Sequence, residues 1–183
     1  LVAVAVVLGR LPKVDVGHSD AFRRRRTLNW LPLGLMYAFL YMGRYNLEVA
    51  KNAFSTLPGP GGLPVMGNMD FGVIFGVGTV VYGFSFIVNG PLTDRFGGRA
   101  SILMGGAGAI LANVLMGLAS LSLLHQGPGH EFLAANFVTV LAVLYAINMY
   151  FQSFGAVSIV KVNASWFHVR ERGVFGAIFG ILI

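Results

Sequence analysis

The sequence contains no cysteine in 183 residues, which excludes disulfides and thiolate metal sites. It is also poor in charge. Only 11% of its residues are Asp, Glu, Lys or Arg, against about 25% in a soluble domain. A surface built from so few charges is not kept in water by ordinary means, so a conventional soluble fold is excluded. No phosphate-cradling glycine loop is present, and an ATP-driven pump has no support. No Ser/His/Asp set or metal cluster stands out, because His18, His125, His130 and His168 all fall outside the apolar stretches. The sequence therefore predicts no catalytic residue, no metal, no cofactor and no enzyme activity. An initiating Met is absent, and residues 1–9, LVAVAVVLG, are apolar but too short to span a bilayer. They lack the basic region and clear cleavage site of a signal peptide, and they read as a remnant or a misassigned start.

What the chain has in quantity is apolar sequence, at 56% hydrophobic with 25 glycines. Three long stretches carry no charge: Phe71 to Leu92, Ala100 to Gln126 and Phe132 to Val160. Each is long enough for the roughly 20 residues that cross a bilayer core. The expectation is an all-α membrane protein, with residues 1–27 as a cytoplasmic segment and 28–183 as a helical bundle. The expected helices are 28–50, 71–92, 101–124, 132–162 and the start of a fifth at 173–183. That fifth piece covers only about 16 Å at roughly 1.5 Å per residue, so the chain reads as a fragment. The Gly- and Pro-rich STLPGPGGLPVMGN and the short HQGPGH cannot continue a helix.

The net charge of +6 raises the question of nucleic acid, and its placement answers it. Arg10, Lys13 and Arg23 to Arg26 precede the first helix. Arg95 and Arg99 lie between the second and third, and Arg170 and Arg172 between the fourth and fifth. The opposite loops hold only Lys51. This alternation obeys the positive-inside rule. It predicts a cytoplasmic N-terminus, a lipid bilayer as partner, and no nucleic acid.

Arg44 breaks the first apolar helix. About 14 residues, or roughly 21 Å of helix, separate it from Trp30, which puts it past the membrane midplane. An ionisable residue at that depth marks a functional site by default. Tyr37, Tyr41, Arg44 and Glu48 recur at helical spacing on one face, as a polar stripe lining a cavity. An ion pair between Arg44 and Glu48, as structural glue, is the plainer alternative. Asn148 and Gln152 share a face of the fourth helix and either meet substrate or bond another helix, as do Asn89 and Asn113. Lys161 either joins the cavity or snorkels to the surface. Gly72 and Gly76 have the small-xxx-small spacing of close helix packing, as do Gly176 and Gly180.

Five segments carry a resemblance. GPLTDRFGGR, from Gly90 through Asp94 and Arg95 to Gly97, Gly98 and Arg99, resembles the signature loop between helices two and three of the major facilitator superfamily. SWFHVRERG, with Glu171 and Arg172, resembles the segment joining helices four and five there. YAFLYMGRYN, YGFSFIVNGPLTDR and YFQSFG resemble helices one, two and four of its organophosphate:phosphate antiporters. The resemblance covers about residue 28 onward. It implies the N-terminal part of a twelve-helix transporter, with the C-terminal half as a missing partner. It further implies a cytoplasmic charge latch at Gly90, Asp94, Arg95, Gly97, Arg99, Glu171 and Arg172. A central site for a small anionic solute would include Arg44, Tyr37, Tyr41 and Tyr82, joined by Gln152, Asn148 and Lys161. Exchange against inorganic phosphate, in a bacterial inner membrane, follows from the same likeness. Two departures matter: Phe86 stands where the family often has a lysine, and Ile183 where it has a histidine. They leave room for a carboxylate or a sugar as substrate, and a non-transporting sensor of the same family is the other reading.

Overall fold

The structure is a computed structural model, and it describes residues 16–59, 62–173 and 176. These form four long helices: α1 (Asp20–Phe54), α2 (Asn68–Phe96), α3 (Gly98–Leu124) and α4 (His130–Ala164). A short 3-10 turn, Val169–Glu171, follows them. The protein is an all-α membrane protein. Nearly all of the expected fifth helix, with Gly180 and Ile183, lies outside the described residues.

The helices run longer than their apolar cores. α1 starts at Asp20 rather than near residue 28, so Arg23 to Arg26 are helical. Ser19 caps it, its hydroxyl accepting from the Phe22 N–H at 3.3 Å, and Asp20 sits in the first turn. Both features suit the positive end of a helix dipole. α2 carries on through Pro91 to Phe96, and only Gly97 separates it from α3. Gly97 has φ +85° and ψ 150°, a conformation essentially restricted to glycine. The signature segment is therefore a tight corner rather than a loop, with Asp94 and Arg95 closing α2 and Arg99 opening α3.

Three helices, α2, α3 and α4, are long and apolar enough to cross a membrane. α1 differs in composition, because Arg44 and its polar neighbours dilute it. Its packing nevertheless keeps it beside α3 and α4 along its length. Met36 fills the space beside Gly106, Tyr37 and Leu40 lie on Gly155, and Asn113 lies on Gly43. Small residues bring α3 onto α4. A Cβ on Gly98 would stand 2.7 Å from Val162 Cγ2, and one on Gly105 2.8 Å from the Phe151 carbonyl. Gly72 and Gly76 have open space beside them instead, so the close approach on α2 falls to Gly78, against Tyr145.

The buried apolar side chains form two clusters. One gathers Leu33, Tyr37, Leu40, Ile102, Ala109, Ile159 and Phe167 at the basic end. The other gathers Leu47, Phe54, Met66, Ile74, Met116, Leu123, Phe137, Leu141, Tyr145 and Met149 towards the far end. Along α1 the first stops at Leu40 and the second begins at Leu47. Along α4 the second stops at Met149 and the first begins at Ile159. Arg44 and Gln152 fall in the gap. Outward-facing Phe39, Phe84, Ile87, Ile110 and Leu111 are exposed, as a lipid-facing surface requires.

Candidate functional site

The gap between the clusters holds a polar layer. Arg44 Nε donates to Gln152 Oε1 at 3.1 Å, and Gln152 Nε2 donates to Asn148 Oδ1 at 2.6 Å. The Arg44 guanidinium carbon lies 4.4 Å from the Tyr41 ring centre and 4.5 Å from that of Tyr82. Two aromatic faces thus hold the cation, each stabilising it through the ring quadrupole. Tyr37 donates to the Tyr41 hydroxyl at 3.5 Å, with the rings edge to face. Of the expected site residues, Arg44, Tyr37, Tyr41, Tyr82, Gln152 and Asn148 come together.

The layer has two further properties. Among the described residues, no carboxylate lies in ion-pair range of Arg44. Glu48, its expected alternative partner, is exposed. The second property is unmet hydrogen-bonding capacity. Asn148 and Tyr145 are fully buried, yet Asn148 Nδ2 and the Tyr145 hydroxyl find no partner in the described protein. An unmade bond at a buried polar atom costs about 1–3 kcal/mol. Tyr145 carried no signal in the sequence beyond lying three residues from Asn148. Its place follows from Gly78, which leaves room for its ring.

Lys161 sits elsewhere. Its ammonium donates to Asp94 Oδ1 at 2.5 Å, joining α4 to the end of α2. Phe86, Gly90, Asp94 and Lys161 line an open cleft of about 590 Å³ there. The residues expected to form one latch divide accordingly. Asp94 pairs with Lys161, while Arg95 and Arg99 are exposed. Glu171 accepts from Arg26 Nη1 with both oxygens at 3.0 Å and lies 3.3 Å from the His18 ring. Arg26 also stands 4.5 Å over the Phe167 ring. Arg172 donates to the Ala164 carbonyl at 3.1 Å and the Phe167 carbonyl at 3.4 Å, so it caps the negative end of α4. Burial pushes the Glu171 carboxyl up, but the Arg26 bond, the His168 N–H and the Arg26 charge outweigh it. Its pKa lies below the ordinary carboxylate value. Arg26 and His18 are not legible as partners in the sequence, since 145 and 153 positions separate them from Glu171. Asn89 and Asn113 serve packing. Asn89 donates to Ser153 Oγ at 2.6 Å and Asn113 to the Ala109 carbonyl at 2.9 Å.

These features define an all-helical integral membrane protein with a half-buried cation between its two apolar clusters. Comparison with known proteins adds a distant likeness. The chain is 24% identical over 167 residues to the membrane sensor protein UhpC of Salmonella typhimurium. It is 23% identical to UhpC of Escherichia coli over the same length. The matches cover 91% of this chain but only 32% and 33% of those proteins, so the chain spans about a third of the relatives it matches. No protein-family model matches, and no solved structure does.

Proposed function

We propose that the chain recruits a small organic anion within a major-facilitator-like membrane protein, most directly an organophosphate exchanged for phosphate. One observation carries this reading: Arg44 is half-buried between the two apolar clusters with two aromatic rings and an amide against it, and no described carboxylate neutralises it. A fixed guanidinium in such a layer favours an anion with two oxygens to offer, because its planar fork bonds both at once. Asn148 Nδ2 and the Tyr145 hydroxyl add neutral hydrogen-bonding capacity nearby. Transport sites lie near the midplane, and alternating access rocks one half of a carrier against the other around them. The protein then does no covalent chemistry. The N-terminus faces the cytoplasm of a bacterial inner membrane, and the Asp94–Lys161 and Glu171–Arg26 pairs latch the inner end.

Counterflow in proteoliposomes tests this. The intact protein, loaded with phosphate inside, takes up labelled glycerol-3-phosphate, and Arg44→Ala abolishes the uptake. Uptake of every anionic solute unchanged by Arg44→Lys would overturn the reading. The second reading is a non-transporting sensor of the same anion, favoured by the two relatives being named membrane sensors. Binding that depends on Arg44 without any counterflow would select it.

A further inference from the structure

We propose that Arg24 and Arg25 bind the phosphate of anionic phospholipid headgroups, making the start of α1 a lipid-reading surface. Four observations carry this inference.

The first turns of α1 are held in place. The Phe22 ring lies 5.8 Å from Trp166 and 4.5 Å from His18, and Arg26 is bonded to Glu171. A rigid overhang thus projects past Trp30. Arg24 and Arg25 are both exposed on it.

Their height fits the headgroup layer. Tryptophan marks the membrane interface, and Trp30 and Trp166 belong to the same cluster. Arg25 is five residues beyond Trp30, or about 7–8 Å of helix. The polar layer outside the hydrocarbon core is about 5–8 Å deep.

Among the described residues, neither arginine has an ion-pair partner. Asp94 and Glu171 are already paired with Lys161 and Arg26. Among the described residues, the remaining carboxylate at this end is Asp20, and it is not in ion-pair range of Arg24 or Arg25. Exposed Arg95, Arg99 and Arg170 raise the positive potential further.

Finally, the chemistry favours a phosphate over a protein partner. Guanidinium forks suit phosphate oxygens, and clusters of basic residues beside a membrane helix attract anionic lipid. A protein interface needs apolar anchors as well. Phe22, Trp166 and Phe167 are engaged with their own neighbours in the fold.

The test measures lipid retention by the intact protein, using native mass spectrometry with phosphatidylglycerol or phosphatidylcholine. The protein should prefer phosphatidylglycerol, and the preference should fall as salt rises. R24Q/R25Q should weaken phosphatidylglycerol binding about thirtyfold, since each cation near an anionic surface contributes about fivefold. Its phosphatidylcholine binding should not change. R24K/R25K keeps the charge but loses the fork, and should lose less. Equal retention of the two lipids overturns the proposal, as does a preference insensitive to salt or phosphatidylglycerol affinity unchanged in R24Q/R25Q. Full displacement of the lipid by inorganic phosphate at equal concentration also overturns it, because the site then takes any free anion.

Discussion

At the residue scale, Arg44 concentrates the chemistry. Replacing it with alanine removes a charge-assisted contact worth about 1.5–3 kcal/mol, so anion binding should weaken about ten- to a hundredfold by calorimetry on the intact protein. Arg44→Lys should fall between, since it keeps the charge but loses the planar fork and stacks less well on the tyrosines. Gln152→Leu should act differently. It leaves Arg44 Nε and Asn148 Oδ1 unbonded between the two apolar clusters, lowering stability by about 1–3 kcal/mol for each orphaned group. Thermal unfolding in detergent would show the loss. The sequence made Arg44 conspicuous because a charge in an apolar run costs so much that it needs a reason. The tyrosine stripe followed from helical spacing. Spacing leaves Lys161 open between the cavity and the surface, because it places a residue along a helix, and only the α2–α4 contact decides that Asp94 meets its ammonium.

At the element scale, the α2–α3 corner and the α3–α4 seam set the geometry. Gly97→Ala should cost about 1–3 kcal/mol, because its backbone conformation is closed to a side chain. Gly98→Ala should cost about as much by overpacking, with its new methyl driven against Val162 and the Ser158 carbonyl. Gly72→Ala should be neutral or slightly stabilising, since nothing lies beside it and alanine favours helix. Unfolding midpoints of the three variants check the order. Apolar runs made α2, α3 and α4 legible, but helix ends were not. Hydropathy reports where lipid begins, whereas Ser19, Gly97 and Arg172 end or extend helices through hydrogen bonds and torsions that hydropathy does not register. The close-packed glycines were mistaken for a similar reason: spacing nominated Gly72 and Gly76, while the ring of Tyr145 selected Gly78.

At the scale of the whole molecule, the basic end is closed by contacts distant in sequence. Glu171 ties the start of α1 to the segment after α4. Its folded pKa is depressed, so its contribution is complete above the unfolded carboxylate value. It is lost as pH falls through the lower folded value. His18 faces the same carboxylate. The stability difference between the wild-type protein and Glu171→Gln should therefore be largest near neutral pH and shrink into acid. A difference that stays flat with pH would place the effect in packing. The polar layer has another consequence at this scale. A guanidinium at mid-height stands partway down any voltage across the bilayer. The proposed anion, reaching it from either face, would cross part of the drop, about 1 kcal/mol per 100 mV for a single charge crossing half of it. On the proposed function, the voltage that draws the solute in from one side resists it from the other, so the depth of one arginine would make the membrane itself a directional bias on loading.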